Sequence, residues 1–138
     1  MTLKGRRALV TGATSGIGLS CARLLALRGC RLALVSRRKD RLKAIARELG
    51  ALAIPLDVRD RRAVEAAARR HPDAFPGAEV LVNAAGLARG FATVQDGDPD
   101  DWDEMIDTNV KGLLYVTRRV VPGMVARNEG HIIMIASA

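Results

Sequence analysis

Aromatic side chains are scarce in this 138-residue chain: phenylalanine, tryptophan and tyrosine together make up 3% of it. Alanine, leucine and valine must therefore fill any core, and there are few rings on which nucleic-acid bases could stack. Cysteine and histidine are equally rare, with only Cys21, Cys30, His71 and His131 present. None of them stands at metal-ligand spacing, so we expect two reduced packing cysteines and no metal site.

Long apolar runs are also missing, because no stretch approaches the roughly 18 residues that a membrane span needs. The N-terminus lacks the charged, apolar and cleavage regions of a signal peptide. We therefore expect a cytoplasmic protein without membrane contact. Residues 1–138 suffice for one domain with its own core, and 49% hydrophobic and 27% charged residues lie in the globular range.

The net charge of +7 arises largely from two basic clusters, at residues 37–43 and 59–62. A nucleic-acid surface is one interpretation. However, both clusters begin predicted helices, and no nucleic-acid-binding motif accompanies them. Solvated helix faces and one phosphate-bearing ligand account for the charge better, and we expect no nucleic-acid partner.

Apolar runs and helical periodicity alternate along the chain. Strands are predicted at residues 6–11, 31–36, 51–56, 80–82 and 130–136. Helices are predicted at residues 17–28, 39–49 and 60–70, and a long one runs from residue 98 to residue 127, with strain at Gly112 and Pro122. This order predicts an α/β, Rossmann-type doubly wound parallel sheet with strand order 3-2-1-4-5 and helices on both faces.

A glycine-rich turn joins the first strand to the first helix, with the sequence Thr-Gly-Ala-Thr-Ser-Gly-Ile-Gly at residues 11–18. Such a turn lets backbone N–H groups at the helix start face a phosphate. The lysine of a kinase or ATPase phosphate loop is absent. The predicted cofactor-binding residues here are Gly12, Thr14, Ser15, Gly16, Ile17 and Gly18. Glycines that merely serve a tight connection are the alternative.

In such a fold the ligand lies beyond the carboxyl ends of the strands. The candidate cofactor-binding residues at these ends are Ser36, Arg37, Arg38, Asp57, Val58, Asn83, Ala84, Ala85 and Gly86. The second strand is not followed by the acid of an NAD site, and its arginines could pair with a 2′-phosphate, which favours NADP(H) over NAD(H). Asp57 could accept from adenine or fix a turn. Asn83 could contact the ligand or tie neighbouring strands.

The glycine turn and the Asn-Ala-Ala-Gly sequence at residues 83–86 together resemble the short-chain dehydrogenase/reductase family. The resemblance implies that Asn109 and Ser137 belong to a catalytic tetrad. It is strongest to NADP-dependent members that oxidise serine and other 3-hydroxy acids. We therefore expect a small-molecule carbonyl or hydroxyl substrate and a homo-oligomer. By physical reasoning alone, Asn109 inside a helix could hold a water, and Ser137 could bind a substrate oxygen or form a turn.

The family places a Tyr-x-x-x-Lys motif after the serine, and these 138 residues do not contain it. Tyr115 is followed by Arg119 rather than lysine, so we predict a packing role for Tyr115. Two hypotheses remain open. One is an NADP(H)-dependent oxidoreductase that moves hydride between nicotinamide and a carbonyl or secondary alcohol, with the C-terminal part of the family fold absent here. The other is a catalytically silent dinucleotide-binding module or fragment. In both, we expect the 138 residues alone to be inactive and prone to associate.

Overall fold

The computed structural model describes residues 1–136 of the chain. Its strands are β1 (Arg7–Thr11), β2 (Arg31–Ser36), β3 (Leu52–Pro55), β4 (Val80–Asn83) and β5 (His131–Met134). Its α-helices are α1 (Gly16–Leu27), α2 (Lys39–Leu49), α3 (Arg61–Arg70), α4 (Pro99–Ile106) and α5 (Leu113–Arg127). The strands form one parallel sheet in the order β3-β2-β1-β4-β5, which confirms the predicted fold and strand order.

The sheet is covered on both faces, which is why its inner strands are apolar throughout. Leu9 of β1 belongs to a core cluster with residues of α3 and α5, whereas its neighbours Ala8 and Val10 pack with α1 and α2. In register, Thr11 lies beside Val35 of β2 and Asn83 of β4. The carboxyl ends of these three strands therefore meet at one edge of the sheet.

The helix N-termini are satisfied in different ways. The Asp60 side chain caps α3 by accepting from the Ala63 N–H at 3.0 Å, and Asp98 caps α4. Ser15 stands at the N-cap of α1 but makes no side-chain capping bond, and the first turn of α1 carries no acid. The N–H groups at the start of α1 are thus left without a side-chain acceptor.

The long helix predicted from residue 98 to residue 127 is not regular. A π-helical segment, Asp107–Gly112, separates α4 from α5, while Pro122 is accommodated inside α5. Apolar periodicity could not predict the π-helical segment, because residues of this segment contact distant parts of the chain. Gly112 lies so close to Val58 that a Cβ would come 2.6 Å from the valine Cγ2.

Several side chains that the sequence analysis set aside have packing roles. Tyr115 is partly buried against the core that contains Phe75, and both cysteines are unpaired. Cys30 donates to the Leu3 carbonyl at 3.3 Å, and burial raises the pKa of its thiol. Within residues 1–136 there is no group of three metal-ligating side chains.

The helices in this described part are all too short or too polar to cross a lipid bilayer.

Candidate functional site

The carboxyl ends of β1 to β4 open into a cleft of about 350 Å³. Ten of the predicted cofactor-binding residues line it: Gly12, Thr14, Ser15, Ser36, Arg37, Arg38, Asp57, Val58, Ala85 and Gly86. Four residues that the sequence analysis did not single out also line it: Val35, Leu56, Leu87 and Thr108. A cavity of this size is in the range of small-molecule sites and could hold part of a dinucleotide.

The glycine turn has the backbone geometry that its sequence predicts. Gly12 has φ +64° and passes so close to β4 that a Cβ would come 2.6 Å from the Ala84 carbonyl oxygen. Gly16 has φ +54°, and the space where its side chain would stand is open. Gly18 packs on the Gly12 carbonyl. Gly16, Ile17 and Gly18 begin α1 and are not part of the cleft wall, so their contact with a ligand remains a prediction.

Hydroxyl groups fix this turn to the neighbouring strands. Thr11 is 1% exposed, and its Oγ1 accepts from the N–H groups of Ala84 and Ala85, each at 3.2 Å. Thr14 Oγ1 and Ser36 Oγ are hydrogen-bonded at 2.9 Å. Thr11 thus joins β1 to the loop after β4. The sequence signal that could have identified it is a threonine at the last position of a buried strand.

The end of β2 carries positive charge and no carboxylate. Arg37 and Arg38 both line the cleft, and the Arg37 side chain is 47% exposed. Arg41, on the first turn of α2, donates through Nε to the Thr14 carbonyl. The guanidinium groups of Arg37 and Arg38 make this end of the cleft suitable for an anionic group.

Asp57, at the end of β3, is held by Arg59. Its Oδ1 accepts from the Arg59 backbone N–H at 3.0 Å, and its Oδ2 accepts from Arg59 Nη2 at 2.8 Å. The hydrogen bond from the Arg59 guanidinium lowers the pKa of Asp57 below its usual value. The turn-fixing role therefore exists in this structure, and the contact with adenine remains a prediction.

Asn83 is the last residue of β4 and is 4% exposed. Its Nδ2 donates to Thr117 Oγ1 at 2.9 Å and to Met134 Sδ at 3.3 Å, which ties β4 to α5 and β5. Asn83 and Ala84 lie beside the cleft rather than in its lining. Of the two roles that the sequence left open for Asn83, the structure contains the structural one.

Asn109 lies in the π-helical segment and contacts the loop after β4. Its Nδ2 donates to the Leu87 carbonyl at 2.8 Å, and its Oδ1 accepts from the Leu87 N–H at 2.9 Å. Both ends of the amide are thus used to fix Leu87, a cleft residue. The neighbouring Thr108 is 6% exposed, and its Oγ1 has no hydrogen-bond partner. Ser137, the other predicted catalytic residue, lies outside the described residues.

The sequence of the chain fits one known protein family. A family model for short chain dehydrogenases matches residues 6–138. The chain belongs to the short-chain dehydrogenase family. This confirms the family that the motifs at residues 11–18 and 83–86 resemble.

The names of several relatives within the family include NADP. The NADP-dependent 3-hydroxy acid dehydrogenase YdfG of Salmonella typhi is 48% identical over 94% of this chain and 53% of its own length. The closed form of a serine dehydrogenase complexed with NADP+ has a TM-score of 0.86 at 44% identity, over 91% of this chain and 52% of its own. A metagenomic short-chain oxidoreductase in complex with NADP has a TM-score of 0.92 at 34% identity, over all of this chain and 65% of its own. The chain therefore spans about half the length of the curated relatives it matches.

Proposed function

We propose that residues 1–138 are the dinucleotide-binding domain of an NADP(H)-dependent oxidoreductase. The whole enzyme would move hydride between the nicotinamide and a carbonyl or secondary alcohol carbon of a small molecule, with 3-hydroxy acids as the candidate class. The observation that carries this proposal is the composition of the cleft. Ser15, at the uncapped N-terminus of α1, and Arg37 and Arg38 all line it, and β2 is not followed by a carboxylate. The names of the relatives support the choice of cofactor and substrate class.

The residues of the cleft fit such a cofactor. The N–H groups at the start of α1 would hold the pyrophosphate, and Arg37 and Arg38 would pair with the 2′-phosphate. Val35 and Leu56, which line the cleft, would lie near the adenine, and the Thr108 hydroxyl, which has no hydrogen-bond partner, belongs to the same lining. The bound nicotinamide would donate or accept the hydride.

Proton transfer would need groups beyond those in the cleft. We propose Asn109 as the residue that fixes the cleft loop and Ser137 as the residue that orients the substrate oxygen. A serine hydroxyl cannot readily protonate a developing alkoxide, and residues 1–138 contain no Tyr-x-x-x-Lys. We therefore propose that these 138 residues bind the cofactor without turnover. A cytoplasmic location and a homo-oligomeric state remain predictions.

Cofactor titrations test the binding proposal. We expect the 138-residue chain to bind NADPH about tenfold to a hundredfold more tightly than NADH, because a charge-assisted contact contributes about 1.5–3 kcal/mol. The double variant Arg37→Ala/Arg38→Ala should lose this preference. The matched control Arg118→Ala/Arg119→Ala removes two charges from α5, which does not line the cleft, and should keep it. Equal affinities of the unmodified chain for both dinucleotides would contradict the proposal.

Activity assays separate an enzyme from a silent binding module. The 138-residue chain and a version extended through the Tyr-x-x-x-Lys segment of a relative would be assayed with NADPH and carbonyl compounds, and with NADP+ and 3-hydroxy acids. We expect turnover from the extended chain alone, reduced by Ser137→Ala. Turnover by the short chain would mean that another residue, such as Tyr115, supplies the acid. An inactive extended chain that still binds NADPH would favour the silent module.

A further inference from the structure

The side chain of Glu104, on α4, brings together arginines from three other segments, one of which lines the cleft. Its carboxylate lies 3.9 Å from Arg37 after β2, 3.8 Å from Arg59 after β3 and 3.3 Å from Arg89 in the loop after β4. The Glu104 side chain is only 23% exposed. Its charge is therefore partly shielded from solvent and acts on these arginines at short range.

Two of these arginines connect Glu104 to the cleft lining. Arg37 lines the cleft itself, and Arg59 holds Asp57, which also lines it. A phosphate bound at Arg37 would share that guanidinium with the Glu104 carboxylate. Two anions beside one guanidinium repel each other, so each weakens the binding of the other.

We propose that Glu104 limits the preference of the cleft for NADP(H) by lowering its affinity for a 2′-phosphate. In the free protein its carboxylate lies 3.9 Å from the Arg37 guanidinium, and a 2′-phosphate that pairs with Arg37 must approach it against the repulsion of Glu104. A ligand with a free 2′-hydroxyl does not compete for Arg37 and is little affected. This inference rests on the proposed function, because it assumes that the cleft binds the adenosine end of the dinucleotide.

The variant Glu104→Gln tests the inference, since the amide keeps the shape of the side chain and removes its charge. We expect the dissociation constant for NADPH to fall about three- to fivefold, the effect of a partly exposed ion pair, and that for NADH to change less than twofold. Adenosine 2′,5′-bisphosphate and 5′-AMP, which carry only the adenosine end, should show the same contrast. In an Arg37→Ala background the gain should disappear.

The matched control is Glu65→Gln. Glu65 on α3 pairs with Arg119 at 3.2 Å and with Arg118 at 3.9 Å, and it does not line the cleft. This variant changes the net charge by the same amount, so a general charge effect would appear in both variants. We expect the Glu65 variant to bind both dinucleotides like the unmodified chain.

The outcomes separate the two proposals. If the unmodified chain prefers NADPH but Glu104→Gln leaves its affinity for NADPH unchanged or weakens it, the inference about Glu104 is wrong and the proposed function stands. A parallel loss of NADPH and NADH binding in Glu104→Gln would assign Glu104 a purely structural role. If the unmodified chain binds neither dinucleotide, the proposed function fails and this inference fails with it.

Discussion

Replacing Thr11 with valine removes the hydroxyl that joins β1 to the loop after β4. Valine has nearly the same shape as threonine, so the variant should create no cavity in a position that is 1% exposed. What changes is that the N–H groups of Ala84 and Ala85, which both donate to Thr11 Oγ1 at 3.2 Å, lose their acceptor. The substitution therefore isolates two hydrogen bonds from the packing around them.

The expected cost follows from those two bonds. Each contributes about 0.5–1.5 kcal/mol to stability, so Thr11→Val should lower the free energy of unfolding by about 1–3 kcal/mol. This is a large part of the 5–15 kcal/mol typical of a domain. Because Ala85 and Gly86 line the cleft, the affinity for NADPH should fall as well.

Urea unfolding followed by circular dichroism measures the first effect, and an NADPH titration measures the second. The control Thr2→Val makes the same substitution at an exposed position where only the backbone carbonyl forms a hydrogen bond in the described part of the chain, and it should change the unfolding free energy by less than about 0.5 kcal/mol. An unfolding midpoint for Thr11→Val equal to that of the unmodified chain would show that water or a shifted loop satisfies both N–H groups, which refutes the assigned role.

Three further variants address other contacts. Gly112→Ala places a Cβ 2.6 Å from Val58 Cγ2 and should destabilise the chain by about 1–3 kcal/mol through overpacking, measured by urea unfolding. Asn109→Leu removes both hydrogen bonds to Leu87 and should weaken NADPH and NADH binding alike in titrations, whereas a selective effect on one cofactor would contradict a loop-fixing role. A backbone N–H and an arginine side chain at the start of β1 hold the pKa of Glu79 below its usual value. The stability that Glu79 contributes is present above the pKa that it has in the unfolded chain, and it is lost as the pH falls through its pKa in the folded protein. Below about pH 5, the unfolding temperature of Glu79→Gln should therefore decline less steeply than that of the unmodified chain.

Local sequence patterns were sufficient to predict the fold. Wholly apolar runs indicated strands buried on both faces, and the glycine turn with its positive φ angles stands where the spacing placed it. Strand bounds differ mainly at the ends: β5 is confined to His131–Met134 although the apolar run is longer, and β4 extends to Asn83. The NADP(H) prediction agrees with the cofactor that the relatives' names state. The individual site residues and the domain assignment remain predictions.

Other features depend on contacts that no local pattern contains. Thr11 meets Ala84 and Glu104 meets Arg37 only because the sheet order and the position of α4 bring distant segments together. The π-helical segment likewise depends on a distant contact, because its Asn109 is hydrogen-bonded to a loop residue 22 positions earlier in the chain. The pair of Asp57 and Arg59 is different. These residues are two positions apart, and an arginine at this spacing could have been recognised as a competitor for the carboxylate.

The arginines around the cleft therefore have unequal capacity to bind an anionic ligand. Arg59 is committed to Asp57 through contacts as short as 2.8 Å, which leaves it little freedom to turn towards a phosphate. Arg37 lies 3.9 Å from Glu104 and close enough to Asp57 to help lower the pKa of that carboxyl, and Arg38 forms no salt bridge in the described part of the chain. A 2′-phosphate would therefore pair with Arg37 and Arg38 rather than with Arg59, because displacing a distant carboxylate costs less than breaking a bidentate ion pair. If the proposed function is correct, we expect the carboxylates near each guanidinium, more than the number of arginines, to determine where a 2′-phosphate binds.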